Sequence, residues 1–533
     1  MRERIRIWLY THPIAMWVYP VGMMLTVLAF FSASVTEGSY IWGFLCVLIL
    51  LCYVFRPNSF LHRLTVENGG VCRKLFTILV ALATIAACTL PMDMLPLWNG
   101  ETPDHRNQYE LMAENILEGR LDFAYGDEDA LLELENPYDP EERNQAGVQY
   151  HWDHAYYDGH YYMYFGVVPV FLAFLPYRIL TGMPLTTYHA TQIFTAVSIA
   201  GIFALFSLLA KLFFKKLPYS VYLLLSVAFS AMSMWYATAE PALYCTAITG
   251  AIALEVWSLY FFIRAVWGEQ QENRQILFAG IGAALGALTF GCRPPIALAN
   301  IVVIPMLTVF LRQRKFTLKL LGKLALAALP YVIVAAGLML YNYARFDDPF
   351  EFGQKYQLTV ADQSQYNIVF DTETNLRIFN DTLANLFGIG TLRESFPYLY
   401  PSSVFYNFPI LLLLCIGMFQ PRVVKTMKRT GFFPVLLGLL AVVLVITAMD
   451  ILWTPYLLER YRMDIYFLMG IACFIVVGIW YCCSTKKQQK YLCGVAAGLS
   501  VATICSAYLL CVSTIGVYYP DVVKDIANIL HLS

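Results

Sequence analysis

The chain has 533 residues, of which 59% are hydrophobic and only 14% charged. Soluble domains carry roughly 25% charged residues, so this composition excludes a soluble globular protein and reads as an all-α polytopic membrane protein. The net charge of -1 gives no basic field for nucleic acid.

In chain order, Arg2, Arg4 and Arg6 precede a long apolar stretch without a small-residue cleavage site, which reads as a first anchor helix rather than a signal peptide. A crossing helix needs about 20 apolar residues. That length predicts spans near 13–34, 39–55, 74–94, 187–212, 218–238, 242–264, 276–291, 295–311, 321–341, 405–420, 431–450, 463–482 and 491–515. Basic clusters at Arg2–Arg6, Arg56–Lys74, Lys211–Lys216, Arg264–Arg274, Arg312–Lys323, Arg422–Arg429 and Lys486–Lys490 hold 24 of the 36 Lys and Arg. Placed on the cytoplasmic side, they give about 13 crossings, with the N-terminus inside and the C-terminus outside. The apolar segment Tyr162–Leu180 contains Gly166, Pro169 and Pro176, and counting it as a crossing would invert every later basic cluster. It reads as an interfacial or re-entrant helix. The chain then divides into an N-terminal two-helix segment (1–73), a membrane core (74–341) with a large outer loop (95–186), a second outer loop (342–404), and C-terminal spans with a short tail (405–533). The 13 cysteines are scattered, several inside apolar stretches (Cys46, Cys52, Cys88, Cys415, Cys473), with no CxxC; helix packing suits them better than disulfides or metal.

The first outer loop holds the densest polar chemistry. In its first part, Tyr109, Met112, Ala113, Ile116 and Leu117 recur at helical spacing, with Glu110, Glu114 and Glu118 on another face. This predicts a helix lying on the membrane surface. Thr102 suits its N-cap, Pro103 its first position and Gly119 its end. Asp104 falls in the first turn, where acids favour the helix dipole; the same residue is placed to act as a general base. Further on, Asp158-Gly159 suits the tip of a hairpin spanning Tyr156 to Tyr162, and Trp152, Asp153, His154 and His160 stand among tyrosines. An interfacial aromatic belt explains those rings; so does a platform for sugars. The histidines and Asp153 fit no compact zinc spacing, so no cofactor is expected.

The apolar helix, short turn, Asp104 and Tyr/Ala-rich amphipathic helix ending in Gly119, together with the Pro/aromatic segment Tyr161–Pro169, resemble the first outer loop of GT-C glycosyltransferases. That superfamily includes protein O-mannosyltransferases and aminoarabinose transferases. The resemblance is strongest over about 100–190 and topological beyond. His105 stands where many members carry a second acid. The resemblance implies a GT-C-like fold and transfer of a sugar from a polyprenyl-phosphate carrier. Asp104 would be catalytic, and Asp153 the second acid of the loop. His105, Tyr109, Trp152 and His160 would contact substrate. A divalent metal, used by some oligosaccharyltransferase-like relatives, is not expected here.

A phosphate leaving group requires cations. Basic residues on the outer side are few: Arg293, Arg345, Lys355, Arg460 and Arg462 are the candidates, with Arg293 in Gly291-Cys292-Arg293-Pro294-Pro295 and the last two opening the twelfth span. Ordinary pairing of Arg460 with Glu459 and of Arg462 with Asp464 competes with that role. Glu255 lies mid-span, where a charge is costly. The leading reading is an inverting glycosyltransferase that moves a sugar from a polyprenyl-phosphate donor to a hydroxyl acceptor (lipid, glycan or protein). It would work among membrane lipids, without nucleic acid, in a plasma membrane of bacterial type. Two alternatives are a lipid-linked substrate transporter or flippase, and a non-catalytic envelope-assembly protein on the same fold.

Overall fold

The computed structural model describes residues 60–67, 70–94, 107–241, 243–312, 314–315, 317–365, 372–453 and 458–529. The expected spans 13–34 and 39–55, and the Thr102–His105 segment, lie outside the described residues.

Eleven predicted spans fall on described chain. Helix α1 (Val71–Thr89) runs on in a 3-10 turn to Met94. After the loop come α2 (Asn107–Leu117), β1 (Asp122–Phe123), α3 (Pro140–Ala146), β2 (His154–Tyr157), β3 (His160–Met163) and α4 (Val170–Thr181). Helices α5 (Thr187–Leu212), α6 (Tyr219–Ala239), α7 (Leu243–Ile263), α8 (Glu272–Phe290), α9 (Pro294–Arg312) and α10 (Leu318–Phe346) follow, and of these α8, on the expected span 276–291, is not among the helices long and apolar enough to cross. The second loop carries α11 (Thr372–Phe387). Then come α12 (Pro409–Met418), α13 (Pro421–Thr430), α14 (Phe432–Trp453), α15 (Glu459–Cys483), α16 (Lys486–Tyr518) and α17 (Pro520–Ile529). Among the described residues, nine helices are long and apolar enough to cross a membrane. The protein is therefore an all-α, multi-pass membrane protein, apart from one small sheet.

Two predicted spans differ from straight crossings. The segment 405–420 is not one continuous helix: a short turn, Val404–Asn407, ends at Phe408 before α12, and α12 meets α13 at an 80° bend. Pro421 cannot donate a backbone N–H, and it disfavours helical φ/ψ at Gln420. The span near 295–311 is interrupted by a 3-10 stretch, Leu298–Val302. Tyr162–Leu180 holds no helix long enough to count as a span; it supplies β3 and the short apolar α4.

The spans are held by a large apolar core whose centre is α6, α7 and α15; Leu225, Ile248, Ala251, Phe474 and Ile475 are among its buried members. Mid-span Glu255 is fully buried, and its Oε2 accepts a hydrogen bond from Asn300 Nδ2 at 3.1 Å. Asn300 Oδ1 in turn accepts from the Tyr331 hydroxyl. This network ties α7 to the irregular part of α9 and to α10, as a low-dielectric interior requires of buried polar groups.

The two large loops pack on one face. Helix α2 buries Tyr109, Met112 and Ala113 under the loop, with Glu114 ion-paired to Arg178 at 3.0 Å. Gly119 takes a left-handed φ of 78° just past its end, as a helix stop favours. The hairpin β2–β3 forms with Asp158 and Gly159 both at positive φ, the geometry that suits a two-residue turn. Strand β1 adds on β3 with Asp122 opposite Tyr162. The second loop docks on this sheet: Asp153 N–H donates to Leu358 O, and Leu358 N–H to His154 O, both at 2.9 Å. The fully buried Arg143 on α3 clamps the joint, donating to Pro137 O and Thr359 O at 2.7 Å each.

Gly166 sets how closely this loop layer meets the spans. A Cβ there would lie 2.3 Å from Gly291 O and 2.5 Å from Cys292 O. Val168 N–H donates to the same Gly291 carbonyl at 3.0 Å. Gly166→Ala must displace that backbone, and overpacking of this kind costs about 1–3 kcal/mol. Gly166→Ala is expected to lower the thermal unfolding midpoint of the purified protein. Gly337→Ala, where an added Cβ meets nothing within 4 Å, should leave it unchanged or slightly raised.

Candidate functional site

Where the loop layer meets the ends of α7, α8, α10, α14 and α15, the structure encloses a cavity of about 560 Å³. Its lining includes the sequence candidates Trp152, Asp153, Arg293, Arg345 and Arg460. Four parts of the chain far apart in sequence supply these side chains, and each is positioned differently.

Asp153 precedes β2 in the left-handed region at φ 56°, a conformation short polar residues tolerate. It is 6% exposed. One carboxylate oxygen accepts from the Tyr244 hydroxyl and the other from Gln357 Nε2 at 2.7 Å. Burial pushes its carboxyl above the ordinary value, and the Tyr244 hydroxyl, the Arg460 charge and Gln357 oppose that shift. Gln108 Nε2, at the start of α2, donates to Asp153 O at 3.0 Å. Next to it, His154 is buried and held neutral, its ordinary value pulled down to about 4 by desolvation. Its Nε2 lies 2.9 Å from the Tyr125 hydroxyl and its Nδ1 2.9 Å from Trp152 O. Trp152 itself is 46% exposed at the cavity rim.

The three arginines of the cavity differ in what already occupies them. Arg293, between α8 and α9, donates from Nε to Asp464 Oδ2 at 2.6 Å. Asp464 is fully buried in the first turn of α15, and Asp450 on α14 stands near the pair. Arg345 closes α10 by donating from Nη1 to Met163 O at 2.7 Å and from Nη2 to Asn342 Oδ1 at 2.9 Å, with its guanidinium over the Tyr341 ring at 3.8 Å. Arg460 stacks on the Tyr244 ring at 3.9 Å and lies 5.4 Å from the Tyr461 ring. Among the described residues no carboxylate pairs with it within 4 Å. Its guanidinium rests on aromatic faces, with the Asp153 and Glu240 carboxylates near enough to act on its charge.

The other candidates sit elsewhere. Tyr109 is fully buried and stacked on Phe174 with ring centroids 5.2 Å apart. His160 stands at the far end of β3, 3.7 Å from Asp122. Lys355 pairs with Glu351 at 3.0 Å. Arg462 is buried against Glu459 and donates from Nε to Asn385 Oδ1 at 2.7 Å. None of these four lines the cavity. Asp104 and His105 lie outside the described residues. The ordinary pairing expected for Arg460 and Arg462 is exchanged in the structure: Glu459 takes Arg462, and Asp464 takes Arg293. A helical turn places residues three apart on one face, so 459 meets 462, and the turn carries 464 inward.

Tyr244, Gln357, Tyr461, Asp450 and Asp464 belong to the site without having stood out as its members in the sequence. Tyr244 lies three residues after Pro241, at the start of a span, which is the one local signal that marks a loop-side helix end. Gln357 carries none. Among the described residues, no group of three or more His, Cys, Asp or Glu side chains is arranged to hold a metal ion.

No family model matches the chain, and no curated protein matches it. Among solved structures, it is similar to an oligosaccharyltransferase from Archaeoglobus fulgidus in the apo form, with 12% identity and a TM-score of 0.38. The match covers 85% of this chain and 60% of that one, so the chain spans less than two thirds of the archaeal enzyme's length.

Removing one partner of a buried ion pair strands the other charge and costs roughly 3–5 kcal/mol, while replacing both by apolar groups costs far less. Asp464→Ala is therefore expected to lower thermal stability strongly, and the double variant Asp464→Leu/Arg293→Met to restore much of it. A thermal unfolding cycle on the four proteins checks this.

Proposed function

We propose that this protein is a membrane glycosyltransferase of the GT-C type, which moves a sugar from a polyprenyl-phosphate carrier to a hydroxyl acceptor on the outer face of a bacterial plasma membrane. The observation that carries the reading is the cavity at the junction of loops and spans. There a guanidinium without a carboxylate partner among the described residues, Arg460, faces the same space as a buried carboxylate and several aromatic rings. A lipid-phosphate sugar needs those features together: a cation for the phosphate, aromatic faces for the sugar, and a position at the membrane boundary for the lipid.

In the proposed reaction the acceptor hydroxyl gives its proton to the Asp104 carboxylate while its oxygen attacks the anomeric carbon. The bond from that carbon to the phosphate oxygen breaks, and polyprenyl phosphate leaves with the electron pair. Arg460 meets the negative charge that develops on it. A single displacement inverts the anomeric configuration and requires one base. Asp104 stands four residues before Gln108 in the sequence, and the Gln108 side chain is bonded to the Asp153 backbone. Asp153 acts by holding Tyr244, and through its ring Arg460, and by orienting sugar hydroxyls. The pairing of Arg293 and the carbonyl partners of Arg345 favour structural roles for those two. Trp152 at the rim suits stacking on the acceptor or the sugar.

The test is sugar transfer from a panel of polyprenyl-phosphate sugars, with lipid, glycan and peptide acceptors supplied. Asp104→Asn is expected to lose about 10²–10⁴-fold in rate, the usual worth of a general base. Arg460→Ala should lose most activity and Arg460→Lys recover part of it. The rate of the wild type should fall as pH drops through a value above the ordinary carboxylate range, because Asp153 binds its proton more readily than a free carboxyl. Asp153→Asn should lower the rate and remove that part of the acid limb. Equal rates for Asp104→Asn and wild type would overturn the base assignment; no transfer from any donor would overturn the transferase reading.

A further inference from the structure

Helix α11 in the second loop divides its surface into three stripes. Asn385 and Leu386 are buried on one, where the helix packs against α14. Glu373, Arg377, Asn380 and Asp381 are exposed on the second, with Arg377 and Asp381 3.8 Å apart. Leu376, Phe379, Leu383 and Phe387 form the third, and they are 57, 59, 42 and 52% exposed. Their spacing of three, four and four residues keeps all four on one side. Just beyond the helix, Ile389 is 91% exposed. Soluble surfaces rarely leave an apolar stripe of this size uncovered.

The level of the helix identifies what covers it. Asn385 accepts a hydrogen bond from Arg462 in the opening turn of α15, so α11 sits at the loop-side ends of the spans. The span it packs on, α14, exposes Leu444 and Val445 in its loop-side half, and these belong to the surface that faces lipid in a membrane protein. The exposed stripe of α11 stands at the level of these span ends.

We propose that α11 is an interfacial helix whose Leu376, Phe379, Leu383 and Phe387 enter the acyl-chain boundary of the leaflet on the loop side, leaving Glu373, Arg377 and Asp381 in water. An apolar face buried 5–10 Å into the boundary with a polar face outside is the arrangement such helices take. The helix carries two acids and one base in these positions, so apolar burial rather than attraction to anionic headgroups holds it there. The link Asn385–Arg462–Glu459 then ties the membrane surface to the turn that bears Arg460.

The test places a genetically encoded nitroxide side chain singly at 377, 379, 381 or 383 in the full-length protein in nanodiscs of zwitterionic phospholipid. Collisions with oxygen and with a water-soluble nickel chelate are read by power saturation. At 379 and 383, oxygen should dominate several-fold; at 377 and 381, the nickel chelate should. Wild-type-like thermal unfolding is checked first, and positions 376 and 387 replace any site where the label unfolds the protein. Nickel-dominated collisions at 379 and 383 would overturn the proposal. So would dipolar broadening between labels at those sites, which would show a second copy of the chain covering the stripe.

Discussion

The low dielectric where the loops meet the spans governs this structure. A charge brought there must be neutralised, hydrogen-bonded or laid on an aromatic face. Arg293 is neutralised by Asp464, Arg345 is absorbed by carbonyl and amide oxygens, and Arg143 clamps the two loops through backbone carbonyls. Once these demands are met, Arg460 is the cavity arginine resting on tyrosine rings instead of a carboxylate. The same constraint that stabilises the architecture therefore holds Arg460 differently from Arg293 and Arg345.

Close backbone approach is the second requirement. The cavity floor forms because Gly166 lets the loop layer lie directly on the Gly291–Cys292 backbone, adjacent to Arg293. The roof forms because the second loop adds its backbone to Asp153 and His154 through Leu358. Asp153 then stands in a rigid setting, with both carboxylate oxygens engaged and its backbone fixed on two sides. Such anchoring is what a site needs to hold groups in a defined geometry without loop motion.

The broken helices lie on the same side of this logic. Pro294 and Pro295 start α9 beside Arg293, and the 3-10 stretch at Leu298–Val302 supplies Asn300 to Glu255. Irregular backbone at membrane depth is tolerated where protein surrounds it and satisfies its polar groups.

Composition and hydropathy alone determined that the chain is a helical, multi-pass membrane protein, because crossing a bilayer demands long apolar runs whatever their neighbours. They also set apart the segment before α5 by its prolines and the flanking basic clusters, and the helix it forms is too short to count as a span. The hairpin at Asp158-Gly159 was legible because only certain residues accept that turn. The partners were not legible. Pairing of Asp464 with Arg293, and of Asp153 with Tyr244 and Gln357, depends on which helix ends and loops converge. That convergence is set by packing over separations of 171 and 204 residues for the Arg293 and Gln357 contacts. The bend between α12 and α13 and the three-striped face of α11 likewise needed the tertiary structure. Local periodicity shows that a helix is amphipathic, but only its neighbours decide which apolar residues face protein and which are left for lipid.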